Sequence, residues 1–198
     1  SFAESGRHVS GRIDPRLAER FAELEMGRNL DLDSRSGKRP GGYQAALEES
    51  REPFIFMNAA GLHRDVETLL HEGGHAFHYL EAAAEPLVFI RFPPLEFAEV
   101  ASMSMELLGG DALDEFYDPD ALQRAKRVML ESIVDVLPWI ATIDQFQHWL
   151  YTHPAHDQTE RTAQWLATID RFSTGDIDWT GLEAAREAMW QKQLHLFH

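Results

Sequence analysis

His71 and His75 stand four residues apart in the run His71-Glu72-Gly73-Gly74-His75. On a helix, residues at i and i+4 share a face, so two imidazoles with this spacing can hold one Zn²⁺. Glu72 lies beside them and can take a proton from a water on that ion. The chemistry this pattern points to is metal-assisted hydrolysis of a peptide bond. A catalytic zinc needs a third protein ligand and one open position. The best candidate is Glu99, in the segment Leu95 to Leu108 that follows the Pro93-Pro94 break. Read as a helix, this segment puts Glu99, Ser102 and Glu106 at i, i+3 and i+7 on one face. Glu99 then binds the metal, and Ser102 and Glu106 orient the histidines through their second ring nitrogens. Glu96, one turn earlier, is the rival ligand. The plain alternative is a solvated acidic helix face, since carboxylates are abundant in this chain.

The elements that must position these groups can be read around them. Asp65 is an N-cap candidate, and Val66, Leu69, Leu70, Ala76, Phe77 and Leu80 follow at helical spacing. Pro86 sets the end of that helix near Ala84. Gly73 and Gly74 each cost a helix interior roughly 1 kcal/mol relative to Ala. Their presence predicts another backbone passing close to the metal face. Upstream, Leu30-Asp31-Leu32-Asp33 alternates, Ser36 to Gly42 is rich in turn residues, and Tyr43 to Leu47 and Pro53 to Met57 read as strands. A small antiparallel sheet before the His71 helix is expected. A peptide could add to its edge as a further strand. That makes Gly41, Gly42 and Tyr43 substrate-binding candidates, with an ordinary glycine turn as the alternative. Helices are also expected over Arg16 to Met26, Asp120 to Leu137 and Trp139 to Leu150, with Pro138 kinking or dividing the latter pair. Two more are expected over Thr159 to Phe172 and Gly181 to Phe197. The predicted class is mainly α: a helical, zincin-like catalytic region with a small β-sheet ahead of the HExxH helix.

Three blocks carry a resemblance to a known family. The first is Asp33-Ser34-Arg35-Ser36-Gly37-Lys38-Arg39-Pro40-Gly41-Gly42-Tyr43, similar to the pattern R-x-GK-R-x-GAY. The second is Asp65-Val66-Glu67-Thr68-Leu69-Leu70-His71-Glu72-Gly73-Gly74-His75-Ala76-Phe77-His78, similar to DV-x-TL-x-HE-x-GH-x-x-H. The third is Glu99-Val100-Ala101-Ser102 with Glu106. In order and spacing the chain resembles the M3 family of zinc peptidases, the thimet oligopeptidase and oligoendopeptidase F group. The resemblance implies one Zn²⁺ per chain held by His71, His75 and Glu99, with Glu72 as general base. His78, Ser102, Glu106 and Asp65 would support these residues from behind. It also implies a short peptide as substrate. Family members are longer, largely helical chains enclosing a deep channel. Beyond the third block they carry a tyrosine-rich segment that hydrogen-bonds the oxyanion. No equivalent is found here; Tyr151, His153 and His156 have the wrong spacing. Residues 1–198 therefore read as a single, shortened catalytic domain, with residues 30–108 holding the metal core and residues 109–198 a helical remainder.

Composition narrows the field. The net charge of −15 argues against nucleic acid and anionic membrane as partners. The absence of cysteine excludes disulfides and thiolate ligands. The first residues carry no apolar signal core and no run is long enough to span a bilayer, which makes the cytoplasm the default. The tail from Met189 to Phe197 is apolar. Such an end suggests truncation, or a second copy or partner that covers it. The remaining histidines, His63, His148, His153, His156, His195 and His198, read as surface or core residues. Three readings follow, the first two being a zinc metallopeptidase acting on short peptides and a zinc-binding module that needs a missing segment or partner chain to work. A helical structural protein with an accidental motif is the third.

Overall fold

The computed structural model describes residues 1–193 and Leu196, and the chain forms two compact units, Ser1–Lys126 and Arg127–His198. The first unit opens with α1 (Phe2–Ile13) and α2 (Pro15–Met26). Asp14 starts α2, its carboxylate accepting from the Arg16 N–H at 2.9 Å, with Pro15 in the first turn. Three strands follow: β1 (Leu30–Asp33), β2 (Gly42–Leu47) and β3 (Glu52–Ala59). Then come α3 (His63–Ala82), the short α4 (Val88–Arg91) and α5 (Val100–Gly109).

α1 was not foreseen, because its buried residues are Gly6, Val9 and Ser10 rather than a run of large apolar ones. Small residues are the reason it fits: a Cβ on Gly6 would sit 2.7 Å from Leu69 Cδ2. The sheet has the order β1-β3-β2. β2 pairs antiparallel with β3, as expected from the hairpin, but β1 pairs parallel with β3. The predicted antiparallel sheet is thus mixed. Its third strand is reached by residues 34–41, which carry the chain across the C-terminal end of β3. Alternation within a strand fixes its faces but not its neighbours. The core joins the layers: Phe21 and Leu24 of α2, Leu32, Ile55 and Met57 of the sheet, Leu69 and Phe77 of α3, and Met105 of α5. Each such side chain, fully buried, contributes about 1.5–3 kcal/mol.

α3 begins three residues earlier than expected. Asp65 is not the N-cap but the third helical residue, and its carboxylate accepts from the Leu62 and Ala60 N–H groups at 2.7 and 2.8 Å. It satisfies donors left open at a helix start and complements the helix dipole. The predicted second helix is also divided. Leu95–Phe97 is a 3₁₀ turn carrying Glu96, and the α-helix starts only at Val100, with Glu99 at its N-cap.

The second unit contains the later part of α6 (Pro119–Thr152), then α7 (Gln158–Phe172) and α8 (Glu183–Glu187). Pro138 does not divide α6, which runs through it for 34 residues; the Thr142 hydroxyl donates to the Pro138 carbonyl at 2.8 Å. The expected last helix is shorter than predicted, with α8 followed by a 3₁₀ turn over Met189–Lys192. Leu194, His195, Phe197 and His198 lie outside the described residues. In the apolar tail, Met189, Trp190 and Leu196 pack with Phe146 and Trp165, so these residues are covered within their own unit. Among the described residues, no helix is long and apolar enough to cross a membrane.

Candidate active site

His71 and His75 project from neighbouring turns of α3, and their Nε2 atoms lie 3.2 Å apart. Glu99 Oε2 completes a triangle, 3.1 Å from His71 Nε2 and 3.3 Å from His75 Nε2. A tetrahedral zinc with bonds of about 2.0–2.1 Å separates its ligand atoms by about 3.3–3.4 Å. The three atoms therefore meet the size of a zinc face, and the set of two imidazoles and one carboxylate is the donor type a catalytic zinc takes. Among the described residues this is the group of metal-binding side chains whose ligand atoms converge. Glu96 does not belong to it.

The closeness of α5 to α3 makes this triangle possible, and Gly74 makes the closeness possible. A Cβ at position 74 would lie 2.6 Å from the Ala101 carbonyl oxygen and 2.6 Å from Ser102 Cα. The backbone predicted to pass near the glycine pair is thus α5. Gly73 has no such role, since a Cβ there would meet only the Phe77 ring at ordinary distance.

Behind the triangle, Glu106 Oε1 lies 2.6 Å from His71 Nδ1. This is the contact expected of Glu106, and it turns the Nε2 lone pair toward Glu99 and His75. Ser102 acts on a different partner from the one expected. Its buried hydroxyl donates to Glu99 Oε2 at 2.7 Å, so it orients the carboxylate and not a histidine. His78 is half-buried and lines an apolar cavity of about 540 Å³ with Leu17, Phe77, Pro93, Phe97 and Val100. Asp65 is engaged at the start of α3, as described above.

The electrostatics separate the two histidines. The hydrogen bond to Glu106 raises the His71 pKa against the opposing effect of burial. For His75 burial is the largest effect and lowers its pKa, against the opposing pull of the Glu99 carboxylate. Glu72 is 8% exposed, and burial pushes its carboxyl up from the ordinary glutamate value. Two effects hold it back: the nearby His71 and a hydrogen bond from the Gln44 backbone N–H. That amide was not visible in the sequence.

The origin of the amide is strand register. Asn58 N–H donates to Gly41 O across the hairpin, and Tyr43 opposes Phe56 in the same ladder. Alternation then turns the backbone groups of Gln44 away from β3, toward the outer edge of β2 and Glu72. Of the residues marked for substrate binding, Tyr43 stacks on Phe56 at 5.0 Å and is half exposed. Gly41 is a turn residue with φ +100°. Gly42 serves helix packing, since a Cβ there would lie 2.5 Å from Thr68 Cγ2 of α3. Tyr151, His153 and His156 lie in the second unit and are locally engaged. Tyr151 donates to the Leu196 carbonyl, His153 Nδ1 lies 3.0 Å from Trp149 O, and Arg161 Nε donates to His156 Nε2.

The chain is similar to known proteins over most of its length. The family model "Peptidase family M3" matches residues 21–198. A solved structure assigned as an oligoendopeptidase F is 29% identical with a TM-score of 0.82, over 98% of this chain and 34% of that one. A structure of PZ peptidase A with an inhibitor is 30% identical, again with a TM-score of 0.82 and 34% of its length covered. A protein assigned as an oligoendopeptidase F from Bacillus anthracis is 26% identical with a TM-score of 0.75, over 98% of this chain and 34% of that one. The chain thus spans about a third of the length of these structures. No curated protein matches significantly. With a family match over nearly all its length, and the HExxH helix, the Glu99 carboxylate and the edge strand in one unit, the chain belongs to peptidase family M3.

Proposed function

We propose that this chain carries the catalytic centre of a zinc metallopeptidase that cleaves short peptides. The observation that carries the proposal is the triangle of His71 Nε2, His75 Nε2 and Glu99 Oε2, with sides of 3.1 to 3.3 Å. These three residues would hold one Zn²⁺, which when bound supplies a Lewis acid for the scissile carbonyl and acidifies water. The remaining work falls to the chain's own residues. Glu72 takes the proton of the attacking water on its carboxylate and gives it to the leaving amine. Its burial raises its basicity for that task, against the opposing effects of His71 and the Gln44 N–H. Glu106 holds His71 in the tautomer that turns Nε2 inward, and Ser102 holds Glu99. The outer edge of β2 offers the Gln44 carbonyl and the backbone groups of Ala46 to a peptide lying as an added strand.

The second reading is a zinc centre that needs further chain to turn over. It is favoured by the span of about a third of the solved relatives and by the engagement of Tyr151, His153 and His156 with local partners. Removal of one oxyanion donor costs about 10²–10³ in rate. A quenched-peptide assay on zinc-loaded protein, with and without chelator, separates the readings. Chelator-sensitive cleavage that disappears in Glu72→Gln, with zinc retained, supports the peptidase. Bound zinc without cleavage supports the second reading. Full activity in Glu72→Gln would refute the assigned general base.

A further inference from the structure

The first sequence block, Arg35 to Tyr43, has no part in the metal site, yet it contains the most fully engaged cation of the first unit. The Lys38 side chain is only 1% exposed. Its Nζ donates to Asp31 O at 2.9 Å, Asp31 Oδ1 at 2.9 Å and Asp33 O at 2.8 Å. Three ammonium hydrogens thus meet three oxygens. The two carbonyls flank the point where the β1–β3 register shifts, between Asp31 and Asp33. At such an irregularity the ladder loses its regular partners, and the ammonium serves both ends of it. Asp31 is itself gripped by Arg35 at 2.6 and 2.8 Å.

From β1, Lys38 reaches the rest of the sheet. Its carbonyl accepts from Asn58 Nδ2 at 3.2 Å, at the C-terminal end of β3. Its Nζ lies 4.7 Å from the centre of the Phe56 ring, which stacks on Tyr43 at 5.0 Å. Tyr43 is followed by Gln44, which lies opposite Ile55 of β3 and by strand alternation turns its own backbone groups to the outer edge of β2. The chain from Lys38 to Gln44 is therefore tied to β1 by the ammonium and to β3 by Asn58 and the strand ladder.

We propose that Lys38 is a positioning residue for the edge strand: by tying residues 34–41 to β1 and β3 it fixes the register of β2 that presents the Gln44 amide and the strand's outer edge to the active site. This assignment rests on the peptidase reading for its catalytic consequence, but not for its structural content. It differs from a purely structural role in being local. Loss of Lys38 should loosen β2 while leaving the metal ligands, which sit on α3 and α5, in place.

The test is amide hydrogen exchange on the full chain, comparing Lys38→Met with the parent protein, together with zinc affinity and peptide cleavage. Exchange over residues 41–47 is expected to rise at least tenfold relative to that of α1, with zinc affinity within twofold of the parent. Where cleavage is measurable, kcat/KM should fall by tenfold or more. Unchanged protection in β2, or an equal rise in β2 and α1, would overturn the assignment whatever the activity. Should Lys38→Met fail to fold, Asp31→Asn reads the same quantity, since it weakens one of the three acceptors and keeps both carbonyls. Selective loosening of β2 in a chain that cleaves nothing would uphold the role of Lys38 and count against the peptidase reading alone.

Discussion

Glu106 Oε1 and His71 Nδ1 lie 2.6 Å apart although 35 residues separate them in the chain. Through this contact α5 sets the direction of a ring that α3 carries. Glu99 caps the same α5, so one helix carries both carboxylates that reach His71.

Replacing Glu106 by Gln should lower zinc affinity by about 10–100-fold, the usual effect of losing a partner behind a metal-binding histidine. The change should be read by competition with a chromophoric chelator. The same variant should lower the His71 pKa in metal-free protein, because the carboxylate is the first cause of its elevation. In the parent protein the sign is definite. A raised pKa means that His71 keeps its proton to higher pH, and zinc must displace that proton. Zinc affinity should therefore climb as pH rises through the His71 titration, which proton NMR should place above that of His75. A reversed order of the two histidines would contradict this electrostatic account.

The adjacent glycines should respond in opposite ways. Gly73→Ala meets only the Phe77 ring at ordinary distance and should stabilise the helix by about 0.5–1 kcal/mol. Gly74→Ala drives a methyl group into the Ala101 and Ser102 backbone. It should destabilise by about 1–3 kcal/mol, the usual range for overpacking. It should also weaken zinc binding as α5 carries Glu99 away. Thermal unfolding and zinc titration of the two variants settle the matter; equal effects would remove Gly74 from the account.

The convergence of His71, His75 and Glu99 was legible because the histidine pair depends only on helical periodicity, and Glu99 on a second segment that carries one acidic face. The close passage behind Gly74 was legible as an oddity, two costly residues in mid-helix. The role of Ser102 was read on the right face but with the wrong partner, because spacing along a helix does not say where Glu99 turns its carboxylate. The parallel pairing of β1 was hidden because residues 34–41 look like a turn and act as a crossover. The Gln44 amide was hidden for a more basic reason: a backbone N–H carries no sequence signature, and only register reveals it. α1 escaped notice because glycine and serine make its packing face.

Arg91 predicts a separate effect on stability. Its side chain is 5% exposed and donates to Glu48 Oε2, Glu85 O and Pro86 O at 2.7, 2.7 and 3.2 Å. It ties the segment after α3 to the residue following β2. Arg91→Ala should cost about 3 kcal/mol, the lower end for a broken buried pair, because Glu48 retains 34% exposure. Urea denaturation measures this, and zinc affinity should stay near that of the parent, since no ligand touches Arg91. A loss of under about 1 kcal/mol, the value of a surface pair, would show that the contact is not held in solution.

His71, His75 and Glu99 together should bind one zinc ion. The most direct measurement is the zinc content of stripped and reconstituted protein, parent against His75→Ala, by elemental analysis after exhaustive dialysis. The account predicts one zinc per parent chain and almost none in the variant. A parent chain that returns without zinc, or a His75→Ala chain that keeps a full equivalent, would contradict it.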